Sequence, residues 1–204
     1  TMLIAFPCGI GLMALGRPIM AMLFIHTRVE LSENLMLFSL FTVVSFSLST
    51  ITNSILQGID KLRIPVIHAA ISLGIHVILL CALLQFTNLQ IYAVVICDIL
   101  FAVVVCLLNA ISLRKYTDYK TDYVGTYILP FAASAVMGLI TYASYKILHL
   151  YIRYKIATFI CVGIGVISYV LLLITFKVIT KEELERMPKG NQIYKLLKKV
   201  KLMK

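Results

Sequence analysis

The chain has 204 residues, of which 61% are hydrophobic and 14% charged, and its mean hydropathy is +0.97. A composition this apolar excludes a soluble globular domain and points to an integral membrane protein. The formal net charge of +10 would suggest a nucleic-acid partner in a soluble chain, but its placement reads as membrane topology, so no nucleic acid is expected.

Six stretches with little or no charge are long enough to cross a hydrocarbon core of about 30 Å. They run from Met2 to Ile25, Leu35 to Gln57, Ile64 to Phe86, Ile91 to Leu113, Thr126 to Tyr145 and Ile156 to Phe176. The expected fold is all-α, a polytopic bundle of six transmembrane helices followed by a C-terminal amphipathic helix. Short connectors make successive spans antiparallel neighbours. With Thr1 on the cytoplasmic side, segments 58–63, 114–124 and 177–204 carry fourteen of the nineteen Lys and Arg residues. The outer connectors carry Arg28, Lys146, Arg153 and Lys155, and Arg17 lies within a span. That asymmetry follows the positive-inside rule and places the tail in the cytoplasm; without the tail the count is five against four. The chain opens on Thr1 without the basic lead of a signal peptide, so a start inside a longer protein is expected.

The first span holds Pro7, Gly9, Gly11, Gly16 and Pro18, which favour kinks and close approach of a neighbour. Arg17 is on the order of 12 Å from the outer end at 1.5 Å per residue. Either it snorkels to the outer headgroups or it faces an interior cavity and attracts an anionic group. The segment His26 to Asn34 reads as an exposed connector.

The second span is the most polar. Ser45, Ser49, Thr52 and Asn53 recur at steps of three and four, with Gln57 near the end, while Phe46, Leu48, Ile51 and Ile55 cover the other faces. In lipid such a stripe turns toward other helices or toward water. Helix-to-helix bonding and a solvated transport path both remain open. Gly58 is suited to ending this helix and Pro65 to beginning the next.

The order of these features carries a resemblance. Pro7-x-Gly9-x-Gly11-Leu12, then Arg17-Pro18-Ile19 with Leu23-Phe24, then a polar-studded helix closing on Leu56-Gln57-Gly58, then Lys61-x-x-x-Pro65, resembles the second half of the MOP flippase superfamily. The branch it is most similar to holds the MurJ-like lipid II flippases and the stage V sporulation protein B-like polysaccharide exporters. The resemblance implies the last six of fourteen spans and movement of a lipid-linked saccharide from the inner to the outer leaflet by alternating access. It implies as partners the bilayer, an undecaprenyl-type lipid-linked saccharide and a missing N-terminal lobe, and a bacterial plasma membrane as location. Residues 1–114 would be four spans of the second lobe. Residues 115–179 would be an additional hairpin that helps form a groove for a lipid tail, and 180–204 a basic tail. The present residues alone would then not transport. A cation-coupled multidrug exporter of the same superfamily and a non-transporting membrane scaffold are the alternatives.

In the third span His68 lies near the inner edge and His76 near the middle; the fourth contains Asp98. If the two spans form a hairpin, His76 and Asp98 differ in depth by only about 5 Å. They are a candidate proton-sensitive pair, the alternative being an Asp that bonds a neighbouring hydroxyl or reaches the outer interface. Cys8, Cys81, Cys97, Cys106 and Cys161 lie inside spans without paired spacing and read as packing residues. No metal-ligand, phosphate-loop or nucleophile-elbow motif is present in the sequence, so neither enzyme chemistry nor a metal or cofactor is expected.

Tyr116, Tyr119 and Tyr123 among the cations of 114–124 read as an interfacial belt. Ser134-x-x-x-Gly138 and Cys161-x-x-x-Gly165 suit close packing of the last two spans. Thr180 and Glu183 form a capping box. Beyond Pro188 and Gly190, Ile193, Leu196, Leu197, Val200 and Met203 line one helical face. Lys195, Lys198, Lys199 and Lys201 surround that face, as in a helix lying on an anionic leaflet. Lys181-Glu182-Glu183-Leu184 with Pro188-Lys189-Gly190 is similar to the ending of the sporulation-protein branch.

Overall fold

A computed structural model describes residues 1–23, 29–117 and 124–176. The described residues are all-helical: α1 Met2–Leu23, α2 Val29–Met36, α3 Ser39–Gly58, α4 Arg63–Phe86, α5 Ile91–Tyr116, α6 Leu129–Tyr151 and α7 Tyr154–Thr175. A π-helical turn, Val124–Ile128, leads into α6. Six of these segments, of 20 to 28 residues, are long and apolar enough to cross a membrane. The chain is therefore a multi-pass membrane protein. The basic amphipathic tail, with Lys195, Lys198, Lys199 and Lys201, lies outside the described residues.

Two compact units divide the chain, Thr1–Thr121 and Asp122–Lys204. In the first, α3 is central, packed against α1 on one side and α5 on the other, while α4 packs on α5. The second is the α6–α7 pair.

Helix α1 bends where the sequence places its second proline. Pro18 has no N–H for the carbonyl of Ala14 and its ring crowds that turn, and the backbone leaves helical values at Leu15 (φ −109°, ψ 15°). The segment expected as a plain connector contains a two-turn helix instead. Val29–Met36 folds back along α1, and Met36 comes so close to Gly16 that a Cβ there would lie 2.7 Å from the Met36 Cβ.

Gly9 sets the approach of α1 to α3. A Cβ at Gly9 would meet the Leu40 Cα at 2.8 Å, a backbone atom that cannot step aside, and the Ser39 hydroxyl donates to the Gly9 carbonyl at 3.1 Å. Gly11, two residues on, faces open space. In the second unit the same device recurs. A Cβ at Gly165 of α7 would lie 2.9 Å from the Thr141 hydroxyl of α6, and Ser134, Gly138 and Cys161 are buried beside it.

Helix α3 ends at Gly58, as the sequence suggests, but the left-handed residue of the turn lies beyond it. Gly58 keeps φ negative; Asp60 takes the left-handed conformation at φ 59°. Its N–H donates to Gln57 O at 3.1 Å and that of Lys61 to Leu56 O at 3.0 Å, the paired bonds of a Schellman ending. Asp tolerates this conformation better than most residues, though less well than Gly. The Lys61 ammonium lies 5.0 Å from the centre of the Tyr116 ring, so the end of α3, the start of α4 and the end of α5 gather at one edge, with Arg63, Arg114 and Lys115.

Two stability predictions follow from these close approaches and this turn. Gly9→Val should destabilise the folded chain by about 1–3 kcal/mol through overpacking, while Gly11→Val should leave it within about 0.5 kcal/mol. Asp60→Gly should stabilise it by about 1 kcal/mol by removing left-handed strain. Unfolding of purified protein in mixed micelles with rising SDS, followed by circular dichroism, measures all three.

Candidate functional site

A buried amide ties three spans of the first unit together. Asn109, in α5, is fully buried. Its Nδ2 donates to Thr52 Oγ1 at 3.1 Å and to Asn53 Oδ1 at 2.6 Å, both on α3. Its Oδ1 accepts from His68 Nδ1–H, on α4, at 2.7 Å. With Nδ1 donating, a neutral His68 presents a lone pair at Nε2, and the Ser112 hydroxyl lies 3.5 Å away to supply a proton. Thr52 passes its own hydrogen to the carbonyls of Leu48 (2.8 Å) and Ser49 (2.9 Å). No buried polar side-chain atom among the described residues lacks a partner. The network joins α3, α4 and α5 through side chains alone, and hydrocarbon supplies no competing partner.

Higher in the same interface lies a second histidine. His76 Nδ1–H donates to the Cys97 carbonyl at 3.1 Å, and its ring stands edge-on to Phe101 with centroids 6.0 Å apart. Its Nε2 lies 4.0 Å from Asp98 Oδ1. The His76 side chain is 16% exposed and that of Asp98 48%. The depth match read from the sequence thus corresponds to a side-chain approach.

The polar residues of α3 separate onto two faces. Ser49 is buried and Ser45 half-buried, and Thr52 and Asn53 turn into the bundle toward Asn109. Thr50, Ser54 and Gln57, at steps of four and three, are exposed on another side. The Thr50 hydroxyl donates to Phe46 O at 2.8 Å and that of Ser54 to Thr50 O at 2.9 Å, which leaves the lone pairs of both oxygens facing outward. Gln57 stands apart from the Asn53 cluster and belongs to this outward line.

Arg17 projects from just beyond the α1 bend, with a 70% exposed side chain, and its Nε lies 3.6 Å from Glu33 Oε2 of α2. An exposed pair of this kind contributes little stability. It gives Arg17 a carboxylate neighbour that neither sequence reading included.

Asn109, His68, Thr50 and Ser54 were not among the site residues expected from sequence. Asn109 had a usable signal. It is a lone amide at the end of the apolar run from Ile99 to Leu108, and a polar side chain inside a span requires a protein partner. The identity of that partner depends on helix rotation, which the sequence does not carry. Among the described residues no cluster of His, Cys, Asp and Glu could hold a metal ion.

Comparison with family models, with curated proteins and with solved structures finds no match to the chain.

Replacing Asn109 by Leu strands His68 Nδ1–H and the Thr52 and Asn53 acceptors at once. Three interhelical bonds at roughly 0.6 kcal/mol each, plus the cost of unpaired buried groups, give an expected loss of about 2–4 kcal/mol. Ser112→Ala, which removes only the long contact to His68, should cost less than about 1 kcal/mol. SDS unfolding of the two variants side by side checks the ranking.

Proposed function

We propose that the chain forms part of a transporter that moves a lipid-linked saccharide from the inner to the outer leaflet by alternating access. The observation that carries this reading is the outward line Thr50, Ser54 and Gln57 on a helix otherwise covered by Phe41, Phe46, Ile51 and Ile55. The Thr50 and Ser54 oxygens, whose hydrogens go to their own helix, and the Gln57 amide can bond to water, a polar cargo or another polypeptide beside the span. A saccharide offers hydroxyls to bond with it, while the polyprenyl chain of such a lipid remains in hydrocarbon. The gathered cations Lys61, Arg63, Arg114 and Lys115 at one edge suit the diphosphate. The resemblance of the motif order to that of MurJ-like and sporulation-protein B-like exporters supports the same reading, together with a bacterial plasma membrane and a cytoplasmic tail.

A second reading has its own observation. Thr52 and Asn53 are engaged by Asn109, which is how polar residues serve a purely structural bundle. In that case the protein is a membrane scaffold, and Thr50 and Ser54 meet another polypeptide.

Cysteine labelling distinguishes the two. In a background without Cys8, Cys81, Cys97, Cys106 and Cys161, Thr50→Cys and Ser54→Cys in native membranes should react with a membrane-impermeant maleimide. The reaction should be at least tenfold faster than at Ile78→Cys on the apolar face of α4, which is 72% exposed in the chain. Added lipid-linked saccharide diphosphate should slow the first two and leave the third unchanged. Labelling at Thr50 and Ser54 no faster than at Ile78, or indifferent to that lipid, would remove the transport reading.

A further inference from the structure

We infer that His76 and Asp98 form a binding site for one proton, held between α4 and α5 in the middle of the membrane. The position follows from the helices: His76 is roughly 15 Å from the Phe86 end of α4 and Asp98 roughly 10 Å from the Ile91 end of α5 at 1.5 Å per residue. Both are well inside an apolar span.

The chemistry follows from the partner on the far side of the imidazole. A carbonyl oxygen only accepts, so the Cys97 carbonyl fixes His76 Nδ1 as the donor. Nε2 is then the nitrogen that faces Asp98 Oδ1, at 4.0 Å. Without a proton there, a lone pair faces a carboxylate, two acceptors directed at each other around a charge in hydrocarbon. With one proton the pair is complementary, either as imidazolium and carboxylate or as neutral imidazole and carboxylic acid. With two, the imidazolium faces a neutral acid and loses its counter-charge. The single-proton state is the one that this geometry favours.

His68 supplies the contrast. It sits two turns away on α4, in the same interface, with the same donor role at Nδ1, but its neighbours are the neutral Asn109 and Ser112. Among the described residues no carboxylate faces it. The other ionisable side chains on the membrane-spanning lengths of α4 and α5 are Cys81, Tyr92, Cys97 and Cys106, and α3, also packed on α5, has none between Ser39 and Gly58. The charged side chains Asp60, Lys61, Arg63, Arg114 and Lys115 lie at the other end of α4 and α5. Among the described residues the pair therefore has a charge partner only in itself.

Loss of the proton would leave the Asp98 carboxylate without a counter-charge at mid-depth. This inference concerns a proton and holds whichever cargo, or none, the protein carries.

The test uses the full chain in lipid nanodiscs with 15N-labelled histidine, the four imidazoles assigned by single His→Gln variants. In the wild-type protein at neutral pH the His76 ring nitrogens and the Asp98 carboxyl stretch in infrared difference spectra should together report one proton, either as an imidazolium beside a carboxylate or as a neutral ring beside a carboxylic acid. A neutral ring beside a carboxylate, or an imidazolium beside a carboxylic acid, would overturn the site. Asp98→Asn should shift the His76 Nε2 signal, Asp98→Glu should restore it, and His68 should not respond to either. A His76 signal unchanged by Asp98→Asn would equally refute the proposal. The wild-type measurement decides the matter even where the variants fail to fold.

Discussion

A carboxamide in hydrocarbon must find every hydrogen-bond partner within the protein, and the first unit is arranged around that requirement at Asn109. Its two donors reach α3 and its acceptor reaches α4, so one side chain on α5 fixes the rotation of both neighbours. Rotation matters more here than in a soluble bundle. Apolar faces of membrane helices are nearly interchangeable between lipid and protein, so shape alone discriminates weakly among registers, whereas an unpaired amide discriminates strongly. Gly9 and its contact with Leu40 complete the specification by fixing how closely α1 approaches α3.

Once α3 is held in that rotation, its two polar lines acquire different roles. The line through Ser49, Thr52 and Asn53 is consumed by the bundle, and the line through Thr50, Ser54 and Gln57 is turned out of it. Step-of-three-and-four spacing is satisfied by both lines. Sequence periodicity identifies α3 as the polar span through Ser45, Ser49, Thr52, Asn53 and Gln57, and leaves helix bonding and a transport path both open. In the structure Thr52 and Asn53 meet Asn109, while Gln57 is exposed.

The six spans were legible because length and hydropathy are local properties, and the α6–α7 packing because small residues four apart leave a direct mark on the chain. Helix α2 was missed for the opposite reason. Val29–Met36 mixes charges with apolar residues over only two turns, and its helicity depends on packing against α1 beyond the bend at Leu15. The left-handed residue that follows α3 is Asp60 and not Gly58, also for a geometric reason. A Schellman ending needs one left-handed residue two beyond the last helical one, and Gly58 is itself that last residue.

His68 and His76 show what the sequence could and could not distinguish. Two histidines eight residues apart on an apolar helix are equivalent by composition, and both make their Nδ1 bond to α5. What differs is the neighbour of Nε2, a hydroxyl for one and a carboxylate for the other. The interface between α4 and α5 is therefore joined at one end through an amide and a hydroxyl and at the other through a backbone carbonyl and a carboxylate, so two residues of one type serve two different chemistries.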